Sequence, residues 1–409
     1  MKKVVIINHS DTRGGASVVS YRLMQALAAQ GVDARMLVMH KGTDSLRVEE
    51  VGTPRSRRAA FLAECAQIYT HNGFNRRDLF KVSTGSYGIS VHNHPWVLEA
   101  DAIVLGWVNQ GMLSLDETGR LAALGKPMAW TLHDMWPVTG VCHHAGNCER
   151  YTGHCGNCPL LCGGRRAHDL SYKVFGRKLK LYGQHPIHLV PVSNWMAGKC
   201  RASALGRDLP LTVIPNAFPV DEYSTVPATS RRQLHLPDGL PLVVMGAARL
   251  DDPIKNLPLA VETLNGVHEA GVNCAAVFYG DLRDPAALDA LRLPHVWLGK
   301  TDMHSVAQIY AHATAVLSTS HYETLPGTLI EGMAAGCTPV ATANGGQPDI
   351  VDNGTDGWLC DADAVQLAEA LTKAVTRPFD RDAQHRAVAR RFAAERVARQ
   401  YMRLLDLMP

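Results

Sequence analysis

No apolar run in this 409-residue chain comes near the ~18 residues that a membrane-spanning helix requires. The first run, residues 4–7 after Met1-Lys2-Lys3, ends at Asn8. It is too short for the core of a signal peptide and has the size of a buried strand. A cytoplasmic protein is expected. Net charge is low as well, +3 with histidine neutral, which makes no case for nucleic acid as a partner. Internal repeats and low-complexity tracts are missing. With 46% hydrophobic and 19% charged residues, disorder and collagen-like fibres are excluded. The fingerprint G-x-G-x-x-G does not occur, which disfavours a nicotinamide-dependent oxidoreductase.

The charge that is present is unevenly spread. Residues 1–220 carry 25 Lys and Arg against 15 Asp and Glu, whereas residues 221–409 carry 16 against 23. An anionic partner or surface is therefore expected on the first half alone. Cysteine is uneven too, with five of ten between Cys142 and Cys162. In a cytosolic protein, clustering points to metal or redox chemistry before disulfides. Cys142-x5-Cys148-x6-Cys155-x2-Cys158 closes on a zinc half-site spacing, in a glycine-rich stretch with little core of its own. The expectation is one structural Zn²⁺ on Cys142, Cys148, Cys155 and Cys158. Two disulfides, a redox pair, an iron–sulfur cluster and free thiols stay open as alternatives.

At roughly 150 residues per domain the length suits two or three domains. Short apolar runs at residues 4–7, 35–39, 102–105, 128–132 and 188–191 alternate with helical spacing, as over residues 17–28. The pattern restarts with runs at 242–246, 274–279, 296–298, 315–317 and 339–342, and helical stretches at 256–270, 329–335 and 365–375. Such βαβ repetition implies parallel sheets with right-handed crossovers. The fold class is α/β: two Rossmann-like parallel-sheet domains facing across a cleft. The proline-bearing stretch 213–219 reads as a linker. Boundaries are expected at 1–215, with a Cys-rich insertion at 142–162, at 216–380, and at 381–409, a last helix that belongs to either domain.

Four constellations fall at strand ends, where ligands bind in such folds. Glu323 and Glu331 flank a Pro-Gly turn that opens a helix, where Gly327 and Thr328 offer backbone N–H groups to an anion. A solvated Glu and a helix-dipole Glu are the plain alternative. Arg249 and Lys255 follow a strand and suit a diphosphate, against surface charge. Gly14 and Gly15 precede a helix and allow close backbone approach, against a plain turn. His133, in Trp130-Thr131-Leu132-His133-Asp134, stands at a strand end, where a structural histidine is the alternative.

In this order the four motifs resemble the retaining glycosyltransferases of family 4, which have the GT-B fold. The resemblance spans nearly the whole chain and includes Pro215-Asn216, Gly345-Gly346 and Gly357. The run from Trp130 to Pro137 followed by the cysteines resembles the branch with colanic-acid and other exopolysaccharide transferases. Asp349, where the family usually has Glu, and Leu325-Pro326-Gly327, where an aromatic often precedes the Gly, depart from the pattern. The resemblance implies that Glu331 holds the donor ribose, and that Arg249 and Lys255 neutralise the departing diphosphate in place of a metal. It implies that Leu325, Gly327 and Thr328 offer amides to donor sugar and phosphate, and that Glu323 faces the donor sugar. His133 would bond that sugar near the reacting carbon, and Gly15, beside Gly14, would sit against the diphosphate. The base would lie along Trp297, Leu298, Gly299 and Lys300.

The implied activity is metal-independent transfer of a hexose-type sugar from a UDP- or GDP-linked donor to a saccharide acceptor in cell-surface polysaccharide assembly. A GT-B phosphorylase or synthase acting on a small sugar is the nearest rival, and a non-catalytic, zinc-stapled saccharide-binding protein the more distant one. One basic run bears on the acceptor. Arg165, Arg166, Lys173, Arg177, Lys178 and Lys180 are threaded with Tyr172, Val174, Phe175, Leu179 and Leu181. This reads either as a helix on an anionic membrane, serving a lipid-linked acceptor, or as a solvated helix face.

Overall fold

The computed structural model describes residues 1–161 and 167–408. Two compact units emerge, Met1–Ala217 with Ala394–Pro409, and Phe218–Ala393. Cys162, Arg165 and Arg166 lie outside the described residues.

The first unit is built on six parallel strands, β1 (Lys3–Ser10), β2 (Asp33–His40), β3 (Val48–Glu50), β4 (Ala102–Leu105), β5 (Met128–Leu132) and β6 (His188–Pro191). Their order is β3-β2-β1-β4-β5-β6. The chain winds one way from β1 to β3 and then crosses back to β4, so the order switches beside β1. β1 is apolar without alternation because both of its faces are covered. Val4 and Ile6 pack with Leu23, Met24 and Leu27 of helix Gly15–Ala29, and Val5 and Ile7 with Leu37, Met39, Ile103 and Trp130. Each such side chain contributes about 1.5–3 kcal/mol on full burial.

The second unit repeats the plan with β7 (Leu242–Arg249), β8 (Ala275–Asp281), β9 (His295–Trp297), β10 (Ala315–Ser318), β11 (Thr338–Thr342) and β12 (Trp358–Cys360), in the order β12-β11-β10-β7-β8-β9. Its switch point lies between β7 and β10. Val243, Met245, Phe278, Leu317 and Val340 form the core with Leu264 of helix Leu257–Glu269 and Leu367 and Leu371 of helix Ala364–Thr376. Both sheets have the doubly wound order of nucleotide-binding folds.

The single terminal helix expected over residues 381–409 is corrected to two. Arg381–Phe392 belongs to the second unit and Ala394–Leu404 to the first. Ala393 breaks the run by taking ψ 133. Helix Ala394–Leu404 places Val397, Ala398, Tyr401 and Met402 on the Val4 face of the first sheet. There the Tyr401 hydroxyl stands 2.7 Å from the Thr131 hydroxyl on β5.

Candidate functional site

In a doubly wound sheet the ligand crevice opens beyond the carboxyl ends of the strands, at the switch point. In the second unit β7 delivers Arg249 there, after its register shifts against β8 between Gly246 and Arg249. A bulge of this kind re-aims the residues that follow it. The chain then makes a tight turn, Pro253–Lys255, whose start is capped by the Asp252 carboxylate accepting from the Ile254 N–H at 3.0 Å. That gives Asp252 a structural task. Asn256 takes the left-handed φ of 53° and starts helix Leu257–Glu269.

The loop after β10 is laced to this turn. The Thr319 hydroxyl donates to the Lys255 carbonyl at 2.9 Å, and the His321 N–H donates to the Ile254 carbonyl at 2.8 Å. Across the seam the Lys255 ammonium is ion-paired with the Glu323 carboxylate, which also accepts from the Ser320 hydroxyl at 3.2 Å. Gly345 (φ 64°) passes against this segment. A Cβ there would stand 2.5 Å from the backbone N and O of Glu323. The next residue, Gly346, donates its N–H to the Glu323 carbonyl at 2.7 Å. Arg249 is also engaged. Its Nε lies 3.1 Å from Asp251 Oδ1, although the two atoms are not aligned for a hydrogen bond.

Helix Gly327–Ala334 starts after Pro326 with no side-chain cap, so the N–H groups of Gly327 and Thr328 open its first turn. Glu331 leans back over that turn. Its Oε1 is 3.9 Å from where a Cβ on Gly327 would stand, the direction helical side chains take. The Tyr279 hydroxyl lies 3.5 Å from Glu331 Oε2 and 2.9 Å from the Tyr310 hydroxyl. Gly246 makes room for Tyr279, since a Cβ there would stand 1.9 Å from its ring. Leu325 is buried, leaving its backbone for any ligand. Leu298 and Lys300 follow β9. The Leu298 N–H donates to the Phe278 carbonyl at 2.9 Å, and the Lys300 ammonium pairs with Asp281 at 3.3 Å while 77% exposed.

The first unit holds the other expected residues at the matching end of its sheet. Gly14 (φ 85°) precedes helix Gly15–Ala29, again without a side-chain cap, and open space surrounds a Cβ built on Gly14 or Gly15. Asn8 stitches the switch point. Its side-chain oxygen accepts from the Trp107 N–H at 2.6 Å and its amide donates to the Ser10 carbonyl at 2.6 Å. His133 follows β5, and burial holds its imidazole down at about 4, so it is neutral near pH 7. Beside it Asp134 accepts from Trp107 Nε1 (2.7 Å), the Trp136 N–H (2.9 Å) and His143 Nδ1 (2.7 Å). Burial acts to raise this carboxyl, but His143 and the other donors hold it below its ordinary value. His143 Nε2 is 3.2 Å from the Ser83 hydroxyl, with Ser83 1% exposed. A serine this enclosed is no nucleophile, and the chain Ser83–His143–Asp134 sets the loop after His133.

Cys142, Cys148, Cys155 and Cys158 all line one cavity of about 20 Å³, and all are free thiols. Burial pushes Cys142 and Cys158 up to about 12 and Cys155 to about 11. Among the described residues, no set of three or more His, Cys, Asp or Glu side chains is arranged to hold a metal ion. Next to the thiols, and unforeseen, is Lys178. It is fully buried, and burial brings its ammonium down to about 7.

That position corrects the reading of the basic run as one cationic face. Helix Leu170–Gln184 buries Val174, Phe175, Lys178, Leu181 and Tyr182. Arg177 reaches Asp116 at 3.2 Å and the Ser86 hydroxyl at 3.1 Å. Lys173, Leu179 and Lys180 are exposed.

Residues 241–377 match the family model described as glycosyl transferases group 1. The matched segment is the greater part of the second unit. A probable sucrose-phosphate synthase of Thermosipho melanesiensis is 27% identical over 182 residues, 41% of each chain. The chain thus spans less than half the length of that curated relative. Among solved structures, sucrose-phosphate synthase from Thermosynechococcus elongatus superposes with a TM-score of 0.65 at 17% identity, over 100% of this chain and 99% of the other. The Anabaena protein HepE, in complex with UDP and glucose, gives 0.65 at 16% identity over 100% of both chains. The fold is GT-B.

Within the matched segment the structure brings Lys255 and Glu323 into contact and sets Glu331 over the Gly327–Thr328 turn. Leu298 and Lys300 lie two strands away from the switch point, beyond β9. Gly14, Gly15 and His133 belong to the other unit. Sequence reading missed Asp251, Tyr279 and Ser320 as partners of the expected residues. Tyr279 alone left a signal, as a polar-tipped aromatic closing an apolar strand.

Proposed function

We propose that this protein is a retaining, metal-independent glycosyltransferase that moves a hexose-type sugar from a UDP- or GDP-linked donor to a saccharide acceptor. One observation carries the reading. In a segment that matches glycosyl transferases group 1, the Lys255–Glu323 pair spans a switch point, with Arg249 at the end of β7 and Glu331 over an uncapped helix start. Lys255 has three N–H donors, so its pairing with Glu323 leaves donors for a diphosphate. Arg249 adds a second cation, and together they offset the charge that develops as the sugar–phosphate bond breaks. The acceptor oxygen bonds the anomeric carbon with its configuration kept, and the acceptor's hydroxyl proton leaves with the diphosphate. Glu331 accepts the ribose hydroxyls, Gly327 and Thr328 donate to donor oxygens, Gly14 and Gly15 admit the diphosphate, and Leu298 and Lys300 border the base. Glu323 orients Lys255 and meets the donor sugar. His133, neutral, offers a hydrogen bond near the reacting carbon.

The setting proposed is bacterial cell-surface polysaccharide assembly, at the cytoplasmic side, by a family 4 enzyme of the exopolysaccharide branch. The acceptor is lipid-linked, reached through peripheral contact of Lys173 and Lys180 with anionic lipid. A second reading, synthesis on a small phosphorylated sugar, is favoured by the similarity to a probable sucrose-phosphate synthase. A thermal-shift series with UDP, GDP, ADP and their sugars tests the core of both, because a bound nucleotide raises the melting temperature by mass action. Transfer from the donor that shifts it, with the product's anomeric configuration read by NMR, tests retention. No shift with any nucleotide overturns the transferase reading, and an inverted product overturns the retaining one.

A further inference from the structure

Gln347 opens a short turn, Gln347–Asp349, in the loop after β11, yet none of its surface reaches solvent. An amide taken out of water is costly unless its polar ends find partners. Its Nε2 has three acceptors around it: the Thr342 hydroxyl at 2.7 Å and the carbonyls of Asn344 and Ser320 at 3.3 and 3.4 Å. The two carbonyls decide which end of the amide faces them, because a carbonyl only accepts. The Oε1 on the other side is enclosed and, among the described residues, meets no donor. A buried acceptor left in this way is destabilising, so Gln347 is a poor choice for stability alone. Its contribution lies in what Nε2 holds.

Thr342 ends β11, and its hydroxyl, accepting from Gln347, donates to the Ser320 carbonyl at 2.7 Å. Ser320 lies in the loop after β10, the neighbour of β11, and its own hydroxyl donates to the Glu323 carboxylate at 3.2 Å. Glu323 in turn holds Lys255, in the turn after β7. A line of hydrogen bonds thus crosses three adjacent strand ends, in the order β11, β10, β7, and finishes on the ammonium. Gln347, Thr342 and Ser320 are all buried, so water does not compete for these bonds and each is stronger than it would be at the surface. The Lys255–Glu323 pair at the end of the line is partly solvent-facing. Its alignment therefore depends on the enclosed part behind it.

We propose that Gln347 is a positioning residue for the Lys255–Glu323 pair, acting through Thr342 and Ser320. Its amide is enclosed, so it works on Lys255 and not on a ligand directly. It fixes the backbone of Ser320, which lets the hydroxyl meet Glu323 from one side, and Glu323 then keeps the ammonium in one place beside the switch point. This role rests on the transferase reading, in which Lys255 offsets the charge of the departing diphosphate. It adds to that reading a residue outside the site that sets how well the cation is aimed. Aim matters because a displacement of about 1 Å can cost ~100-fold in rate.

Rates and melting curves on the full chain, with the donor that raises its melting temperature, make the test. Gln347→Met keeps the length of the side chain and drops the amide, whereas Thr342→Val keeps the shape and drops the hydroxyl. Each should lower kcat by about 10-fold, part of the ~100-fold that misplacement can cost, with the donor KM changed by less than about twofold because ground-state binding is untouched. Thr342→Ser, which keeps the hydroxyl, should stay near wild type. In a Lys255→Ala background Gln347→Met should cost no further rate, since residues that act through one another are not additive. The melting temperature of Gln347→Met should move by no more than about 2–4 °C, because the unmet acceptor leaves with the amide. With the wild type active, three results overturn the role of Gln347 and leave the transferase reading standing: an unchanged kcat in Gln347→Met, the same loss with Lys255 already removed, or an equal loss in Thr342→Ser. A wild type that transfers from no donor overturns the transferase reading and this role with it.

Discussion

Lys255 and Glu323 are ion-paired although 68 residues separate them in sequence. The pair joins the first loop of the second sheet's central strand to the loop of the neighbour across the switch point. The cation is thereby held before any donor arrives, which is the preorganisation that electrostatic catalysis depends on. Lys255→Ala should lower kcat/KM by ~100-fold or more, on the scale of a lost preorganised stabiliser. The melting temperature should move little, since both side chains are partly solvent-facing, 24% and 20% exposed. Steady-state rates with the donor identified by thermal shift, alongside the melting curve, check both halves. A rate near wild type removes Lys255 from the mechanism.

Glu331 is expected to act on donor binding. Glu331→Gln keeps the shape but gives up a charged acceptor, and hydrogen bonds to charged groups are worth about 1.5–3 kcal/mol. The nucleotide-induced rise in melting temperature should shrink and KM for the donor should grow by about 10–100-fold on that scale. Tyr279→Phe removes a contact of only 3.5 Å to Glu331 and should cost less. If Tyr279→Phe is the more damaging of the two, the tyrosine's contact with Tyr310 matters more than its hold on Glu331.

Legibility in the sequence followed the range of each interaction. The central strands were readable because covering on both faces leaves continuous apolar runs. β3 and β12, three residues each at sheet edges, carry too little pattern. Helix Pro54–His71 was invisible because it buries only Ala60, Glu64 and Ile68, so no stripe forms. Glu331 and the Gly327 turn, four residues apart on one helix, were legible as a motif. The Lys255–Glu323 and Ser83–His143 contacts were not, because a loop's side-chain partner depends on tertiary closure. Lys178 was misread for a related reason. Val174, Phe175, Lys178, Leu181 and Tyr182 form one inward stripe, and a cation at its centre looks like surface until the thiols behind it are known.

Divalent cations are expected to be dispensable for transfer. With Arg249 and Lys255 supplying positive charge at the diphosphate, EDTA added at the start of an assay should leave the initial rate within about twofold, a small fraction of the effect of losing an electrostatic stabiliser. A rate abolished within the dead time of mixing and restored by Mg²⁺ or Mn²⁺ contradicts the clamp.

Membrane contact, if made, rests on few groups. With Lys178 inside and Arg177 paired to Asp116, helix Leu170–Gln184 leaves Lys173 and Lys180 outside beside Leu179, itself 41% exposed. At about 1 kcal/mol for each basic residue near an anionic surface, co-sedimentation with phosphatidylserine vesicles should be weak. It should fade as salt shortens the Debye length, and disappear in Lys173→Glu with Lys180→Glu. A wild-type protein that stays in the supernatant at low salt removes the lipid surface from the proposal.

Stability should fall as pH drops from about 6.5 toward 4, before the carboxylates protonate. The sign follows from burial. Burial lowers His133 and His9 to about 4, and with smaller effect lowers His40 and His188, while the unfolded chain keeps histidine near 6.5. Between those values the unfolded chain binds more protons, so the stability present above about 6.5 is lost progressively on acidification and levels off below about 4. Glu64 and Asp356 oppose the trend, because burial raises both carboxyls, but they are two groups against four. Melting temperatures at intervals from pH 6.5 to 4 should therefore decline, with a shallower decline in His133→Gln, whereas above 7 the buried Lys178, held down at about 7, adds a separate rise with pH. The same neutrality governs catalysis. The transfer rate should show no ionisation of His133 until pH approaches 4. A rate lost with a midpoint near 6.5 in the wild type and not in His133→Gln would mean that this imidazole is solvated and charged in the working enzyme, contrary to its place behind β5.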